Sequence, residues 1–478
     1  MRRGGTLAVA AAAVLLIPRP SSAQPDIVVI VTDDLDSQLL NTAVSRGLMP
    51  NLKSRIIDQG ATFSNYFVTD PLCAPSRATF LTGLYPHNHG VLGNGLPLGG
   101  ASKLDDSQTL ATWLAAAGYQ TSLVGKYINA YGADVDQSYV PPGWSDWHGQ
   151  MHSDVTRYLL NDNGVVTAMG FSDEEYPTDV FASRAESFIA TTTSPYFLYV
   201  ATLTPHTEQW TPTCEANDGP AHMTSPASRD TGLAGSVTMP QGASFNEPDL
   251  SDKPAWWTTE YPVMSDVNTE CMTSAFRAAV ESMVAIDDLV GRMFAATDAR
   301  GTTANTIFVF TSDNGFLYGQ HRGREKGSIY EETIRVPMYV AGPGVGVQTV
   351  AAPVLNNDFA PTICEWAGTS PSIVVDGRSF VPLLAGPAPW RTRFMAEHYT
   401  EEQPGWLMIR ADSRGRLAKY ARYDATTEEL YDLVVDPAEL QSKHADAHYG
   451  AWRKALRRQL KTLKTCSGAG CAAVEDTP

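Results

Sequence analysis

Asp26-Ile27-Val28-Val29-Ile30-Val31-Thr32-Asp33-Asp34, DIVVIVTDD, sets five consecutive aliphatic residues before a tail of two carboxylates. A strand with one wet face alternates apolar and polar residues. A run that is apolar at every position suits a strand covered on both faces, as in the middle of a parallel sheet. Parallel neighbours need long crossovers, usually helical, and the chain supplies them. Residues 104–117 read as a helix capped by Asp106 or Ser107 and ended by Gly118. Residues 121–127, TSLVGKY, read as a second strand, and residues 195–206, PYFLYVATLTPH, as a third. Apolar residues at helical spacing across 275–296 (Phe276, Val280, Val284, Leu289, Met293) precede Gly301. Residues 306–310, TIFVF, then form a fourth strand that runs into TSDNG. This alternation predicts an α/β class: a three-layer sandwich around a large, mostly parallel central sheet.

The rest of the chain divides by composition. Residues 1–23 hold Arg2, Arg3, an apolar run over 7–17 and the small-x-small pattern Ser21-Ser22-Ala23. That is a signal peptide, with an apolar run too short to span a bilayer. No later segment is long and apolar enough to anchor the chain, so the expectation is an exported protein, periplasmic or secreted, with no integral membrane segment. Residues 24–388 make the main α/β domain, with a loop-rich insertion at 207–262. Residues 389–478 offer short strand candidates, RFMAEHY, GWLMIRA and LAKYARY, and a basic helix near 449–464. They predict a small C-terminal α+β domain with an antiparallel sheet. The formal net charge of −17 excludes nucleic acid as a partner. A small anion in a locally basic pocket remains compatible with it.

Six cysteines in an exported chain permit disulfides. Cys466 and Cys471 enclose the short loop SGAG and are the best pair. Cys214 and Cys271 flank one loop-rich region and are candidates for a second. Cys364, in PTICEWAG, reads as a buried thiol. Cys73 is left over.

Ligands of open α/β sheets gather beyond the carboxyl ends of the strands. Asp33 and Asp34 end the first strand, Lys126 and Tyr127 the second, His206 the third, Asp313 and Asn314 the fourth. Three carboxylates and one amide are all-oxygen ligands, suited to Ca2+ first and Mg2+ second, and unlike the sulfur and imidazole of structural zinc. Taken singly, each such tail is also a common turn or helix cap. Arg77, Lys126 and Lys326 are candidates to hold an anion, Arg as a planar fork and Lys as a compact charge. His206 follows Pro205 past an apolar strand. His321 lies in the Gly-rich GQHRGREKG, where an exposed loop residue is the plain alternative. Cys73 opens CAPSRATFLTG, in which Pro75 suits a first helical turn and Ser76 a cap. A helix start attracts anions and lowers a thiol pKa.

Cys73-x-Pro75-Ser76-Arg77 followed by Thr82-Gly83 resembles the signature of the sulfatase family, within the alkaline phosphatase superfamily. The ordered series TDD, CxPSR, TG, GKY, TPH, SDNG and a downstream lysine matches that family from Asp26 to about Gly344, and YDLVVDPAE is similar to its small C-terminal domain. GKYINAYG, YPHNHG and CSGAGC further resemble the N-acetylglucosamine-6-sulfatase and bacterial arylsulfatase branch. The resemblance implies that a dedicated maturation enzyme reading CxPxR oxidises Cys73 to Cα-formylglycine, whose hydrate attacks sulfur. It implies that Asp33, Asp34, Asp313 and Asn314 hold Ca2+, with residue 73 beside it. It gives Arg77 the task of orienting residue 73, Lys126 and Lys326 contact with sulfate, and His206 a place near the leaving group. Ile128 stands where many arylsulfatases carry a histidine; either His321 is the proton acceptor in its place, or Ile128 marks the glucosamine-type branch of the family. The implied activity is hydrolysis of the O-sulfate ester of a small sugar substrate, such as N-acetylglucosamine-6-sulfate, or of an aryl alcohol. A formylglycine-dependent phosphonate monoester or phosphodiester hydrolase, and an inactive metal-bound binding protein, are the alternatives.

Overall fold

The computed structural model describes residues 24–151, 155, 157–207, 209–210, 222–400, 405–413 and 415–477. A ten-stranded sheet forms its centre. Asp26–Thr32 pairs in parallel with Thr306–Ser312 on one side and Tyr196–Ala201 on the other. Gln120–Lys126 continues the parallel array beside Tyr196–Ala201, and Asp146–Met151 lies beyond it. Beyond Thr306–Ser312 the sheet continues through antiparallel Met338–Ala341 to Ala61–Phe63 and Gln348–Val350, and the antiparallel Tyr158–Asp162 and Val165–Met169 hairpin ends the other margin.

The aliphatic run explains itself in this setting, because every residue of Asp26–Thr32 is buried. Ile27, Val29 and Val31 enter a core shared with the helices Leu110–Ala116 and Phe359–Trp366. Val28 and Ile30 enter the opposite core, shared with Pro177–Thr191 and Asp266–Arg300. Each fully buried aliphatic side chain contributes roughly 1.5–3 kcal/mol, so a strand clothed on both faces stabilises twice over. The expected three-layer α/β arrangement is the one observed.

Several elements differ from expectation at their ends. The helix expected over 104–117 starts only at Leu110, capped by Thr109. The Asp106 carboxylate accepts from the Tyr139 hydroxyl (2.7 Å) and the Ser107 hydroxyl donates to Asp105 (2.6 Å), so neither serves as the cap. The long helix runs from Asp266 to Arg300, capped by Ser265 and ended by left-handed Gly301. The strand Tyr196–Ala201 stops short of His206, and Thr306–Ser312 extends to the residue before Asp313.

Within 207–262 the described residues form a short strand pair, Gln209–Trp210 with His222–Met223, and the helix Ala255–Glu260. Trp257 of that helix packs against Tyr261 and Tyr330 and donates its indole N–H to the His321 carbonyl (2.9 Å). The C-terminal strands Arg393–His398, Trp406–Ser413, Arg416–Arg422 and Glu428–Asp432 form an antiparallel meander. The helix Gly450–Leu463 covers it through Leu456, Leu460 and Leu463.

Cys466 and Cys471 form the expected disulfide, and Cys364 is a buried free thiol. Cys271 is also disulfide-bonded, while Cys214 and the expected signal segment 1–23 lie outside the described residues. Among the described residues no helix is long and apolar enough to cross a membrane.

Candidate active site

Parallel register brings the strand tails together. Thr32 lies opposite Ser312, so Asp33 and Asp313 are the next residues of adjacent strands. Asp33, Asp34 and Asp313 each place a carboxylate oxygen within 4.8 Å of the others. Asp34 adopts φ +64, a left-handed conformation that few non-glycine residues take. Its backbone N–H donates to Asp313 Oδ1 (3.2 Å), as does that of Asn314 (2.7 Å). The Asn314 side-chain amide donates to Asp34 Oδ1 (2.6 Å).

Three cations interleave with these acids. Arg77 donates from Nε to Asp313 Oδ2 (2.8 Å), from Nη2 to Asp33 Oδ2 (3.2 Å) and from Nη1 to the Lys126 carbonyl (3.0 Å). Lys126 ends its strand with Nζ on Asp33 Oδ2. It follows Gly125, at φ +105, where a Cβ would sit 2.1 Å from the Ala201 carbonyl oxygen; only glycine lets the two strands approach there. Lys326 Nζ donates to Asp34 Oδ1 (2.6 Å) and Cys73 Sγ (2.8 Å). His206 Nε2 stands 3.7 Å from Asp34 Oδ2.

Cys73 is the first residue of the helix Cys73–Thr82, all of whose residues are buried. Its thiol points at Asp33 Oδ1 (3.5 Å). The helix start was expected to lower the thiol pKa; instead burial, then the Asp33 charge, pushes it up to about 12 against Lys126 and Lys326. Ser76 is no cap either. Its hydroxyl donates to the Asp313 carbonyl (2.5 Å) and accepts from Asn356 (3.0 Å), tying the helix to the strand tail.

The charges set one another's protonation. Burial alone would raise Asp33, but Lys126, His206, Arg77 and Lys326 hold it well below the usual carboxylate range. Burial and the adjacent Asp33 charge raise Asp313. Burial lowers His206 to about 4, so its ring is neutral near pH 7. Asp34 Oδ2 and Asn314 Oδ1 are buried with no hydrogen-bond partner among the described residues. Such an atom costs about 1–3 kcal/mol unless something binds it. Two orphaned oxygens beside two further carboxylates fit a hard divalent cation.

The sequence model of the sulfatase family matches residues 25–369. The chain belongs to the sulfatase family. A second model, the C-terminal region of N-sulphoglucosamine sulphohydrolase, matches residues 319–466. An arylsulfatase of Volvox carteri is 31% identical over 94% of this chain and 76% of its own length. The human N-acetylglucosamine-6-sulfatase is 31% identical over 94% of this chain and 86% of its own. Among solved structures, a protein in complex with its substrate D-glucosamine-2-N,6-O-disulfate superposes with a TM-score of 0.73, at 23% identity, over 92% of this chain and 97% of that one. The phosphonate monoester hydrolase of Agrobacterium radiobacter gives 0.64 at 24% identity, over 92% and 95%. At those identities the two structures speak for the fold. The sulfatase relatives speak for an enzyme that hydrolyses sulfate esters.

One candidate residue of this sulfatase lies elsewhere. His321 makes no contact with the strand-end cluster among the described residues. Its Nδ1 bonds to Glu247 Oε2 (2.7 Å) and its ring stacks on Tyr330 at 3.8 Å. Burial, with Lys253 and Lys419 nearby, holds its pKa well below the usual value. A Gly-rich loop suggested exposure, but the insertion and the C-terminal strands enclose it. The sequence reading passed over Asn94, whose side-chain oxygen accepts from the backbone N–H of Ala74 (3.0 Å) and anchors the residue after Cys73. A turn asparagine in GNG carries no signal of that task.

Proposed function

We propose that this sulfatase cleaves the O-sulfate ester of a sugar or an aryl alcohol at the strand-end cluster. Residue 73 acts there as formylglycine. A divalent cation, Ca2+ before Mg2+, is held by Asp33, Asp34, Asp313 and Asn314 with residue 73 beside it. The observation that carries this reading is the position of the residue 73 side chain. It lies between Lys326 Nζ and Asp33 Oδ1, against a donor set with two unpaired oxygens.

A thiol pushed up to about 12 is a poor nucleophile, and a sulfated thiol has no second oxygen with which to expel the product. The formylglycine hydrate supplies an oxygen nucleophile with a second hydroxyl, and the cation supplies fixed positive charge at the sulfate oxygens. The chain's own groups prepare that ground. Arg77 spans Asp33 and Asp313 and fixes their separation before substrate arrives. Lys126 and Lys326 present ammonium charge to the sulfate oxygens. His206, neutral near pH 7, offers a ring N–H to the leaving-group oxygen. His321 has no part in this scheme. The apolar run of residues 7–17 behind Arg2 and Arg3 supports export.

Peptide mass spectrometry across Cys73, on protein produced with an active formylglycine-generating enzyme, tests the reading. The aldehyde form, with sulfate released from aryl sulfate or N-acetylglucosamine-6-sulfate, is expected. A thiol at 73 while a control substrate of the maturation enzyme is converted overturns the mechanism. Phosphonate turnover outrunning sulfate turnover overturns the choice of substrate.

A further inference from the structure

A cavity of about 460 Å3 opens beside residue 73. Leu72, Asn94, Glu325, Lys326 and Gly327 line it from the large unit, and His398 lines it from the last position of the C-terminal strand Arg393–His398. Leu72 precedes the nucleophile position and Lys326 touches it. The alcohol that carries the sulfate therefore has this space to extend into.

His398 is held there as a fixed ring. Its Nδ1 bonds to Asp70 Oδ1 (2.8 Å), and Asp70 has no exposed surface. Trp406 packs beside the ring at 5.8 Å and donates its indole N–H to the Gly327 carbonyl (2.8 Å). Gly327 adopts φ +80, and a Cβ there would sit 3.2 Å from His398 Nε2. The cavity-side nitrogen is thus kept clear by a glycine while the other is clamped by a buried acid. Among the described residues, Nε2 has no hydrogen-bond partner. Such an arrangement fixes which nitrogen a ligand meets.

We propose that His398, oriented by Asp70, recognises a hydroxyl of the sugar whose sulfate is removed. The proposal rests on the sulfatase reading of the adjacent cluster. Its neighbours define the rest of the ligand. Glu325 is exposed and uses Oε1 to accept from the Tyr261 hydroxyl (2.6 Å), which leaves Oε2 as an acceptor. Asn94 commits its oxygen to Ala74 N and keeps its amide N–H groups as donors. Two acceptors and a donor around one space match a polyol, while Leu72, Leu96, Leu98 and Tyr399 supply apolar wall to either kind of ligand, so the polar groups are what separate a sugar from an unsubstituted aromatic ring. The Glu325 carboxylate also disfavours a second anionic group at that edge. The ligand class is a neutral or cationic monosaccharide sulfate, in preference to a sulfated uronic acid.

The test compares two substrates on matured enzyme: N-acetylglucosamine-6-sulfate and an aryl sulfate lacking hydroxyls. The variants are His398→Ala, the similar-sized His398→Gln, and Asp70→Asn, with thermal melts to confirm folding. A site built to bond a hydroxyl discriminates sharply against ligands that lack one. His398→Ala should lower the sugar-to-aryl ratio of kcat/KM by about tenfold or more, chiefly through KM for the sugar. Asp70→Asn should move the ratio in the same direction by less, since it frees the ring without removing it. Equal losses on both substrates, or an unchanged ratio in all three variants, overturn the inference. Wild-type enzyme that releases sulfate from neither substrate removes the sulfatase reading and this inference with it.

Discussion

At the junction between the large sheet and the C-terminal strands, Arg391 is enclosed by two acids. Both its Nη groups bond to Asp358 and its Nε bonds to Glu475 Oε2 (2.8 Å), and none of the three side chains is exposed. The remaining Glu475 oxygen accepts from the Tyr85 hydroxyl (2.6 Å). At the strand ends, Arg77, Lys126 and Lys326 face Asp33, Asp34 and Asp313 at similar depth, yet among the described residues Asp34 Oδ2 and Asn314 Oδ1 have no hydrogen-bond partner. Removing charges from water costs several kcal/mol per ion. The junction offsets that cost by pairing every oxygen of Asp358 and Glu475. The strand ends leave two oxygens for water or a bound cation to meet. Unpaired oxygens on neighbouring acid and amide groups, rather than buried charge as such, separate the two clusters.

Substitutions should separate the two clusters by kind of damage. Asp34→Ala removes the carboxylate that carries an unpaired oxygen, so turnover should fall by about 10²–10³-fold and the proposed divalent cation should be lost. Activity assays with elemental analysis check both; undiminished metal content would erase the distinction drawn here. Arg391→Ala leaves the buried Asp358 carboxylate without its counter-ion, while Glu475 keeps Arg378 (2.9 Å), and should destabilise the protein by about 3–5 kcal/mol. Denaturant unfolding reads that loss, while the folded fraction should keep its metal and its kcat.

A smaller effect is expected at His87, where pH can switch the contribution. Its Nδ1 faces Glu397 (2.7 Å) and its Nε2 faces the Cys466 carbonyl (3.0 Å), so both nitrogens bond best as donors. Burial lowers its pKa, but Glu397 and the carbonyl outweigh that and the net shift is upward. A raised histidine stabilises fully below its unfolded pKa of about 6.5 and loses that contribution as pH rises through the folded value. The Tm gap between wild type and His87→Gln should be wider at pH 5.5 than at pH 8.5. A gap independent of pH would assign His87 a neutral role.

Local chemistry was legible wherever a single residue type is forced. Ile27 and Val28 face opposite cores, so both had to be apolar, and the run announced a central strand. Because the strands are parallel, their tails had to meet, and Asp33, Asp34, Asp313 and Asn314 could be grouped from sequence. What tertiary partners decide was not legible. Ser76 looked like a cap, but the Asp313 carbonyl, 237 positions away, takes its hydroxyl. The thiol of Cys73 looked acidified by its helix, but burial beside Asp33 reverses the direction. Asp70 and His398 are separated by 328 positions and share no motif. His321 sits among glycines that suggest solvent, yet Glu247 and Tyr330 close over it.

The helix Cys73–Thr82 has no exposed residue. In the finished molecule CAPSR is therefore invisible to any other macromolecule, and its side chains already face inward to Asp33, Asp313 and Asn356. A catalyst that reads this pentapeptide needs the chain extended, before the sheet has assembled around it. Tyr85, just beyond the helix, is sealed by Glu475, 390 positions further along the chain. The order of events during biosynthesis thus becomes a chemical variable. If residue 73 is the formylglycine proposed above, a chain that closes too quickly would keep its thiol, and a slow approach of the segment around Glu475 would lengthen the interval in which that residue could be altered.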